Sequence, residues 1–185
     1  KAPARKTSRR VTPSQAADLG PTVSFQSTFY KNQAVLPYYL YRYAQATSVV
    51  PGQGRITDFD QRGLDFAWAA GNVSWTPVPW LNAQLGQGRH FVGNGYRSVL
   101  LSDNAFSYPF VKLSLLSNDK RFQYTTIHAK LQLPGAENRL PTGDASESLF
   151  YWKRATFQYL SANLGPVQLG VFEGVLWNDI GPAGV

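Results

Sequence analysis

Hydrophobic and polar residues alternate with a period of two along most of the chain, which is the pattern of half-buried β-strands. Seven segments follow it: TVSFQSTFY at 22–30, LDFAWAAGNVSWT at 64–76, WLNAQLGQG at 80–88, FVKLSLL at 110–116, RFQYTTIHAKLQL at 121–133, RATFQYLSANL at 154–164 and VQLGVFEGVLW at 167–177. Helical periodicity is almost absent. The pattern therefore predicts an all-β protein built from antiparallel strands.

Two of these segments change phase partway along. The apolar residues from Leu64 to Trp68 occupy one face, whereas Val73 and Trp75 occupy the other. A similar change occurs near Thr125. A β-bulge, which inserts one residue and moves the following side chains to the opposite face, would produce such a change, and so would a bend at glycine.

The connections between the predicted strands alternate in length. Three are tight turns rich in Pro, Gly or Asn-Asp: TPVP at 76–79, SNDK at 117–120 and LGP at 164–166. Three are long: 32–63, 88–107 and 133–148. Short turns on one rim and long loops on the other are typical of outer-membrane β-barrels, whose strands also alternate over about ten residues. We expect the three tight turns to share one rim.

Aromatic residues near the strand ends agree with this layout, since tyrosine and tryptophan are enriched where a protein meets the membrane interface. Trp75 and Trp80 flank the first tight turn. Others lie near the opposite strand ends: Tyr108, Tyr151, Trp152 and Trp177. A soluble antiparallel β-sandwich is the alternative fold, although a sandwich does not require this ordering of loop lengths.

Seven strands do not close a bacterial barrel, which uses an even number. An open sheet edge is not tolerated against lipid. We therefore interpret residues 20–185 as a partial antiparallel outer-membrane β-barrel. Residues 1–19 form a separate basic arm, which we expect to be disordered because it is rich in Lys, Arg, Ser and Pro and poor in apolar residues.

The charge distribution argues against nucleic-acid binding, and the absence of cysteine excludes thiol chemistry. The net charge is +7, but five of the 18 Lys and Arg residues lie in the first ten positions, so the remaining chain is nearly neutral. A folded nucleic-acid binder carries its basic residues on one face, so no nucleic-acid partner is expected. The chain contains no cysteine, which excludes disulfides and thiolate metal sites.

The segment GQGRHFVGNGYRSVLLSDNAFSYPFVKL at 86–113 resembles the segment that marks the RemB-like gliding-motility proteins of Bacteroidetes, relatives of the Wzi capsule-assembly outer-membrane proteins. The flanking pieces FYKNQAVLPYYL, VPGQGRITDF and FQYLSANLGPVQLGVFEGVLW are similar too, so the resemblance covers about residues 22–178. It implies an outer-membrane β-barrel, longer than this chain, with a non-enzymatic role in polysaccharide attachment or in surface adhesion and motility.

The same segment holds the densest polar cluster: Arg89, His90, Asn94, Tyr96, Arg97, Asp103 and Asn104. Such side chains, together with an aromatic ring, suit glycan binding. In the other interpretation, the loop packs into the barrel interior and Arg97 pairs with Asp103. Gly93 and Gly95 would then hold backbone angles that disfavour other residues.

The sequence gives little support for a phosphate-binding loop, a metal site or a catalytic site. GQG and GNG lack the helix and the Gly-Lys-Ser/Thr of a phosphate loop, so no cofactor is expected. His90 and His128 are the only histidines, which gives no metal-ligand pattern. Ser98 or Ser102 with His90 and Asp103 lacks a nucleophile elbow. Glu173 has no second acid nearby for glycoside chemistry.

These observations predict a non-enzymatic outer-membrane protein with three kinds of partner: membrane lipid, surface polysaccharide, and other outer-membrane, motility or secretion proteins. Two alternatives remain, a soluble β-rich protein that binds or processes glycans and a soluble basic binding module. The tyrosine-rich stretch YYLYRYAQ at 38–45 is expected in a long loop, at the membrane interface or stacked on sugars.

Overall fold

The computed structural model describes residues 9–47, 49–59, 63–93, 96, 98–132 and 152–178. They form one antiparallel sheet of eleven strands and one helix. In chain order the elements are β1 Arg9–Val11, β2 Ser14–Asp18, β3 Val23–Val35, α1 Tyr38–Thr47, β4 Val49–Val50, β5 Gly54–Phe59, β6 Gly63–Val78, β7 Leu81–Gly88, β8 Tyr108–Leu116, β9 Phe122–Gln132, β10 Trp152–Asn163 and β11 Gln168–Asn178. The predicted all-β antiparallel class is confirmed.

The seven predicted strands are the seven long ones, and they lie side by side in the order β3, β6, β7, β8, β9, β10, β11. Because each is antiparallel to its neighbours, the tight turns after β6, β8 and β10 lie together at one end of the sheet, the short-turn rim. The carboxyl ends of β3, β7 and β9 lie at the other end, the long-connection rim. The predicted grouping of the tight turns is confirmed.

The sheet is not closed into a barrel. In the described chain β11 pairs with β10 alone, and the opposite edge of β3 is occupied by the short strands β1 and β2. The structure thus differs from the disorder predicted for the basic arm, since residues 9–11 and 14–18 are strands. All five residues of β2 have exposed side chains. These strands form because the edge of β3 offers unpaired backbone groups, and pairing with them requires no apolar side chain.

The two faces of the sheet differ in what lies on them. The covered face carries the buried side chains, such as Leu64 of β6 and Tyr108 and Phe110 of β8, and it is overlaid by chain from the long-connection rim. The open face has nothing packed on it in the described chain, and it carries exposed Val111 and Leu113.

Neither change of phase coincides with a β-bulge. β6 pairs with β3 without a register shift from Gly63 to Trp75, and β9 pairs continuously with β10 along its whole length. The one irregularity of β6 lies later, between Trp75 and Val78 in its pairing with β7. The phase changes instead mark the point where the apolar residues of a regular strand move from the covered face to the open face.

Two apolar clusters fill the covered face near the long-connection rim. One consists of Tyr108, Phe110, Ile127, Ala129, Ala155 and Phe157 from β8, β9 and β10. The other consists of Ala44, Val50, Leu64 and Phe66. Ala44 belongs to α1, so the tyrosine-rich stretch expected in a loop is a helix that packs its Ala44 side against β6. No helix of the described residues has the length and apolar character needed to cross a membrane.

Gly86 is required where β6 and β7 approach each other. A Cβ atom at this position would lie 2.6 Å from Asn72 Cα, a backbone atom of the paired strand. We expect Gly86→Ala to force the strands apart and to lower the free energy of unfolding by about 1–3 kcal/mol. Gly88→Ala is the matched control on the same strand, because its Cβ would meet only the Phe110 ring, at 3.4 Å. Denaturant unfolding of both variants checks this, and equal losses of stability would contradict it.

Candidate functional site

The polar cluster lies in residues 89–107, the cap loop, which connects β7 to β8 across the covered face. The loop closes on itself through an isolated bridge in which the Val92 amide donates to the Leu101 carbonyl at 2.9 Å. The Ser98 hydroxyl donates to the Val92 carbonyl and accepts from the amides of Leu100 at 3.0 Å and Leu101 at 3.3 Å. These bonds hold residues 98–101 of the loop against Val92.

Gly93 has a φ of 137°, in the region that favours glycine. A Cβ atom there would also lie 2.7 Å from Ser98 Oγ. Gly93 thus has the kind of backbone angle predicted for it in the case of a packed loop. The same prediction for Gly95 falls outside the described residues.

Arg89 joins three separate segments at the base of the cap loop. Its Nη2 donates to the Gly52 carbonyl at 2.6 Å, and its Nη1 donates to the Asp103 carbonyl at 3.3 Å. Its guanidinium also lies over the Trp68 ring of β6, 4.0 Å from the centroid, a cation–π contact that strengthens as the site is dehydrated. Arg89 therefore connects the β4–β5 turn, the cap loop and the sheet.

The partial burial of Arg89 disfavours its positive charge. Burial lowers the pKa of its guanidinium, and the negative charge of Asp103 acts in the opposite direction. Its Nε is buried and has no hydrogen-bond partner among the described residues. Since arginine keeps its proton in proteins, the site holds a partly desolvated cation stabilised mainly by carbonyl oxygens and an aromatic face.

The residues around Arg89 allow separate backbone segments to approach one another closely. Gly52 has a φ of 68°, and a Cβ there would lie 2.6 Å from the Asn104 carbonyl oxygen. Trp68 stacks on Tyr30 of β3 with ring centroids 4.1 Å apart. The Ser107 hydroxyl donates to the Ala69 carbonyl at 2.8 Å and anchors the end of the cap loop. Only glycine permits the β4–β5 turn to come this near to the loop.

His90 points into the covered face. Its Nδ1 lies 3.2 Å from the Tyr108 hydroxyl, and its ring meets the Phe110 ring edge-on with centroids 4.2 Å apart. Burial, with the positive charge of Lys112 as a smaller cause, lowers the pKa of His90 to about 4. The imidazole is therefore neutral at neutral pH and acts as a packing and hydrogen-bonding group.

The structure thus divides the predicted cluster in two. Arg89 and His90 point inward, whereas Tyr96, Asp103 and Asn104 are exposed, with Tyr96 at 95% of its full accessibility. Asn94 and Arg97 lie outside the described residues, and so does the predicted pairing of Arg97 with Asp103. Within the described ranges, no group of three histidine or acidic side chains could hold a metal ion.

Sequence reasoning missed Trp68, Tyr30 and Gly52 as members of this site. Trp68 and Tyr30 belong to separate strands, and their stacking depends on the β3–β6 register. For Gly52 the signal was available in GQG at 52–54, because closely spaced glycines often mark backbone that must pass near another segment. Glu173 lies on the open face opposite Gln158.

No protein-family model, curated protein or solved structure matches the chain. The function of the site therefore has to be inferred from its own geometry and chemistry.

The lowered pKa of His90 predicts a pH dependence of stability. Between pH 6.5 and about 4 the unfolded chain binds a proton at this residue and the folded chain does not. Stability should therefore fall as the pH drops through this window, by up to about 1.4 kcal/mol per pH unit. We expect His90→Gln to make the free energy of unfolding less dependent on pH between 7 and 4.5, measured by denaturant titration.

The control for this comparison is His128→Gln, which removes an exposed histidine of β9. Parallel pH profiles for the wild type and His90→Gln would contradict the assignment of a neutral, buried His90.

Proposed function

We propose that the chain forms part of an outer-membrane β-barrel that anchors or organises material at the cell surface, without catalysis. The surface material is polysaccharide, or a partner protein of a motility or secretion apparatus. The observation that carries the proposal is the distribution of apolar and polar side chains over the two faces of the sheet.

The open face carries a continuous apolar band in the half of the sheet towards the short-turn rim. Its exposed members include Phe25, Phe29, Val73, Trp75, Leu85, Val111, Leu113, Leu115, Phe122, Leu160, Leu169 and Val171. Neighbouring strands match in register, as in Leu85 opposite Val111 and Leu81 opposite Leu115. Soluble monomers rarely expose so large a continuous apolar surface, which supports contact with lipid.

The apolar band stays in register across β3, β6, β7 and β8, where Phe25 lies level with Val73, Leu85 and Val111. The same level on β9 and β10 carries the polar residues His128 and Thr156. On these two strands the exposed apolar residues lie nearer the short-turn rim, at Phe122 and Leu160, whereas β11 exposes Val171, Val175 and Trp177 on its open face.

The covered face opposite the band is polar, as in the interior of transmembrane barrels. Asn82 Nδ2 donates to Ser74 Oγ and to Thr76 Oγ1, both at 2.8 Å. Gln84 Nε2 donates to Asn82 Oδ1 at 3.0 Å. A soluble sandwich would bury an apolar face here and expose a polar one, so the observed polarity is inverted relative to that alternative.

The ends of the band agree with a membrane interface. Trp75 and Trp80 are exposed at the short-turn rim, where interfacial tryptophans are expected. Beyond the band, towards the long-connection rim, the open face becomes charged: Lys31 Nζ lies 3.1 Å from Asp65 Oδ2. Because the described sheet is open, a barrel needs further strands, from the same polypeptide or from a partner.

The surface role rests on the long-connection rim, where Tyr96 of the cap loop is exposed. The resemblance to RemB-like and Wzi-like proteins supports the same role. Two cavities formed by described residues have walls without a carboxylate, so neither offers an acid pair for glycan hydrolysis. This favours binding over processing.

The membrane placement predicts opposite responses at adjacent positions of β8. Leu113→Lys puts a charge on the apolar band, where a lysine near the bilayer midplane costs about 2–4 kcal/mol. We expect the full-length protein with this change to show reduced assembly in the outer-membrane fraction, measured by heat-modifiable mobility. Ser114→Lys, the matched control on the covered face, should assemble. If the open face lies in water, Leu113→Lys will change stability by no more than about 0.5 kcal/mol, and the proposal fails.

The surface role predicts that the exposed ring of Tyr96 contributes to polysaccharide retention. Val99 lies on the same loop and is equally exposed, at 101%. We expect Tyr96→Ala to reduce cell-bound polysaccharide by several fold, because stacking on an aromatic face is lost, while Val99→Ala has no effect. Sedimented polysaccharide per cell is the measurement, with surface-exposed protein quantified in parallel. Equal retention by both variants would argue for a protein partner instead.

A further inference from the structure

A cavity of about 270 Å³ lies on the covered face beneath residues 90–93 of the cap loop. Strands β8 to β11 form its wall. Its volume is below the usual range of about 300–1,000 Å³ for sites of drug-sized ligands, so it suits a ligand of roughly one ring. The cavity is distinct from the outward surface of the cap loop, where Tyr96 lies.

The charge of this cavity comes from Lys112 of β8. Its cross-strand neighbours on the covered face are Gln84 and Ile127, which are uncharged. Strands β7 to β10 contain no acidic residue, and Glu173 of β11 lies on the open face. In the described part of the chain Lys112 has no ion pair or hydrogen bond. A half-buried ammonium without a counter-charge favours binding of an anion.

The rest of the wall is suited to a hydroxylated ring rather than to a bare anion. Gln123, Thr125 and Gln168 provide amide and hydroxyl groups, and Tyr159 provides an aromatic ring with a hydroxyl. Phosphate sites usually use several cations or a series of backbone amides. A single cation beside amides and an aromatic surface indicates a ligand with one negative charge and several hydroxyl groups.

Two glycines of β11 keep the aromatic side chains against the wall. A Cβ atom at Gly170 would lie 2.9 Å from Tyr159 Cζ, so the Tyr159 ring lies directly over this glycine. A Cβ at Gly174 would lie 3.3 Å from the Phe157 ring. A larger residue at Gly170 would push Tyr159 away from the wall and into the space of the cavity.

We propose that this cavity binds one acidic sugar unit, a pyranose that carries a single carboxylate. Lys112 pairs with the carboxylate, the amides and hydroxyls of Gln123, Thr125 and Gln168 bond the ring hydroxyls, and Tyr159 contacts the sugar ring. This deepens the proposed polysaccharide role and rests on it for the biological ligand. It predicts that the surface polysaccharide recognised by the protein contains uronic acids.

The test is calorimetric titration of the purified full-length protein with galacturonate, galactose and inorganic phosphate. We expect galacturonate to bind at least about tenfold more tightly than galactose, since a charge-assisted bond contributes about 1.5–3 kcal/mol. Lys112→Met should abolish this preference, Lys112→Arg should retain part of it, and Lys31→Met on the open face should leave it unchanged. Binding that is equal for galacturonate and galactose, or unaffected by Lys112→Met, overturns the proposal.

A second variant keeps the test decisive if Lys112→Met does not fold. Gly170→Ala leaves the charge in place but displaces Tyr159 into the cavity, and it should weaken galacturonate binding by about tenfold. Unchanged binding by Gly170→Ala would contradict the placement of the sugar in this cavity. Phosphate that binds more tightly than galacturonate would identify a simple anion site and also overturn the proposal.

The outcome is separable from that of the membrane proposal. If the purified protein binds galacturonate and the Leu113→Lys variant assembles normally, the sugar site stands and the membrane placement fails. Normal membrane insertion without galacturonate binding would do the reverse.

Discussion

In four of the long strands, β6, β8, β9 and β10, the apolar side chains move from one face of the sheet to the other partway along, and the other features of the fold follow from this change. Near the long-connection rim the apolar side chains lie on the covered face, and near the short-turn rim they lie on the open face. β6 shows this clearly, with Leu64 and Phe66 buried on one face and Val73 and Trp75 exposed on the other. Because successive side chains of a strand point to opposite faces, a regular strand can present apolar surface to two different environments along its length.

The cap loop and α1 follow from the first of these environments. The aromatic cluster around Tyr108 and Phe110 would be open to water without chain laid over it, and burial of such side chains is the main favourable contribution to folding. A loop that covers a core must also bond its own polar groups. Ser98 forms hydrogen bonds with the backbone of the loop. Arg89 donates hydrogen bonds to carbonyls of two segments and contacts the Trp68 ring.

The cap loop thereby separates two regions with different chemistry. Its outer surface presents Tyr96, Asp103 and Asn104, where large ligands have access. Its inner surface lines a cavity of about 270 Å³ beside Lys112, a volume that suits a ligand of roughly one ring. In the proposed barrel these would be an outward contact surface and an interior subsite of one polysaccharide-binding rim, connected through the conformation of residues 89–93.

Alternation and turn chemistry are local properties of the chain. For this reason the seven long strands, their antiparallel order, the rim on which the tight turns lie and the backbone angle of Gly93 could be predicted from the order of the residues alone. The face that each apolar residue occupies depends instead on how the strands pair and on what packs over them. The same phase change in β6 fits a bulge or a change of environment, and only the unbroken β3–β6 pairing distinguishes them. Strand β2 pairs with β3 across residues 19–22, but all of its side chains are exposed, so it lacks the alternation that predicts a strand. Helix α1 and the inward orientation of Arg89 and His90 depend on apolar clusters and carbonyl groups from other segments of the chain, which no local pattern encodes.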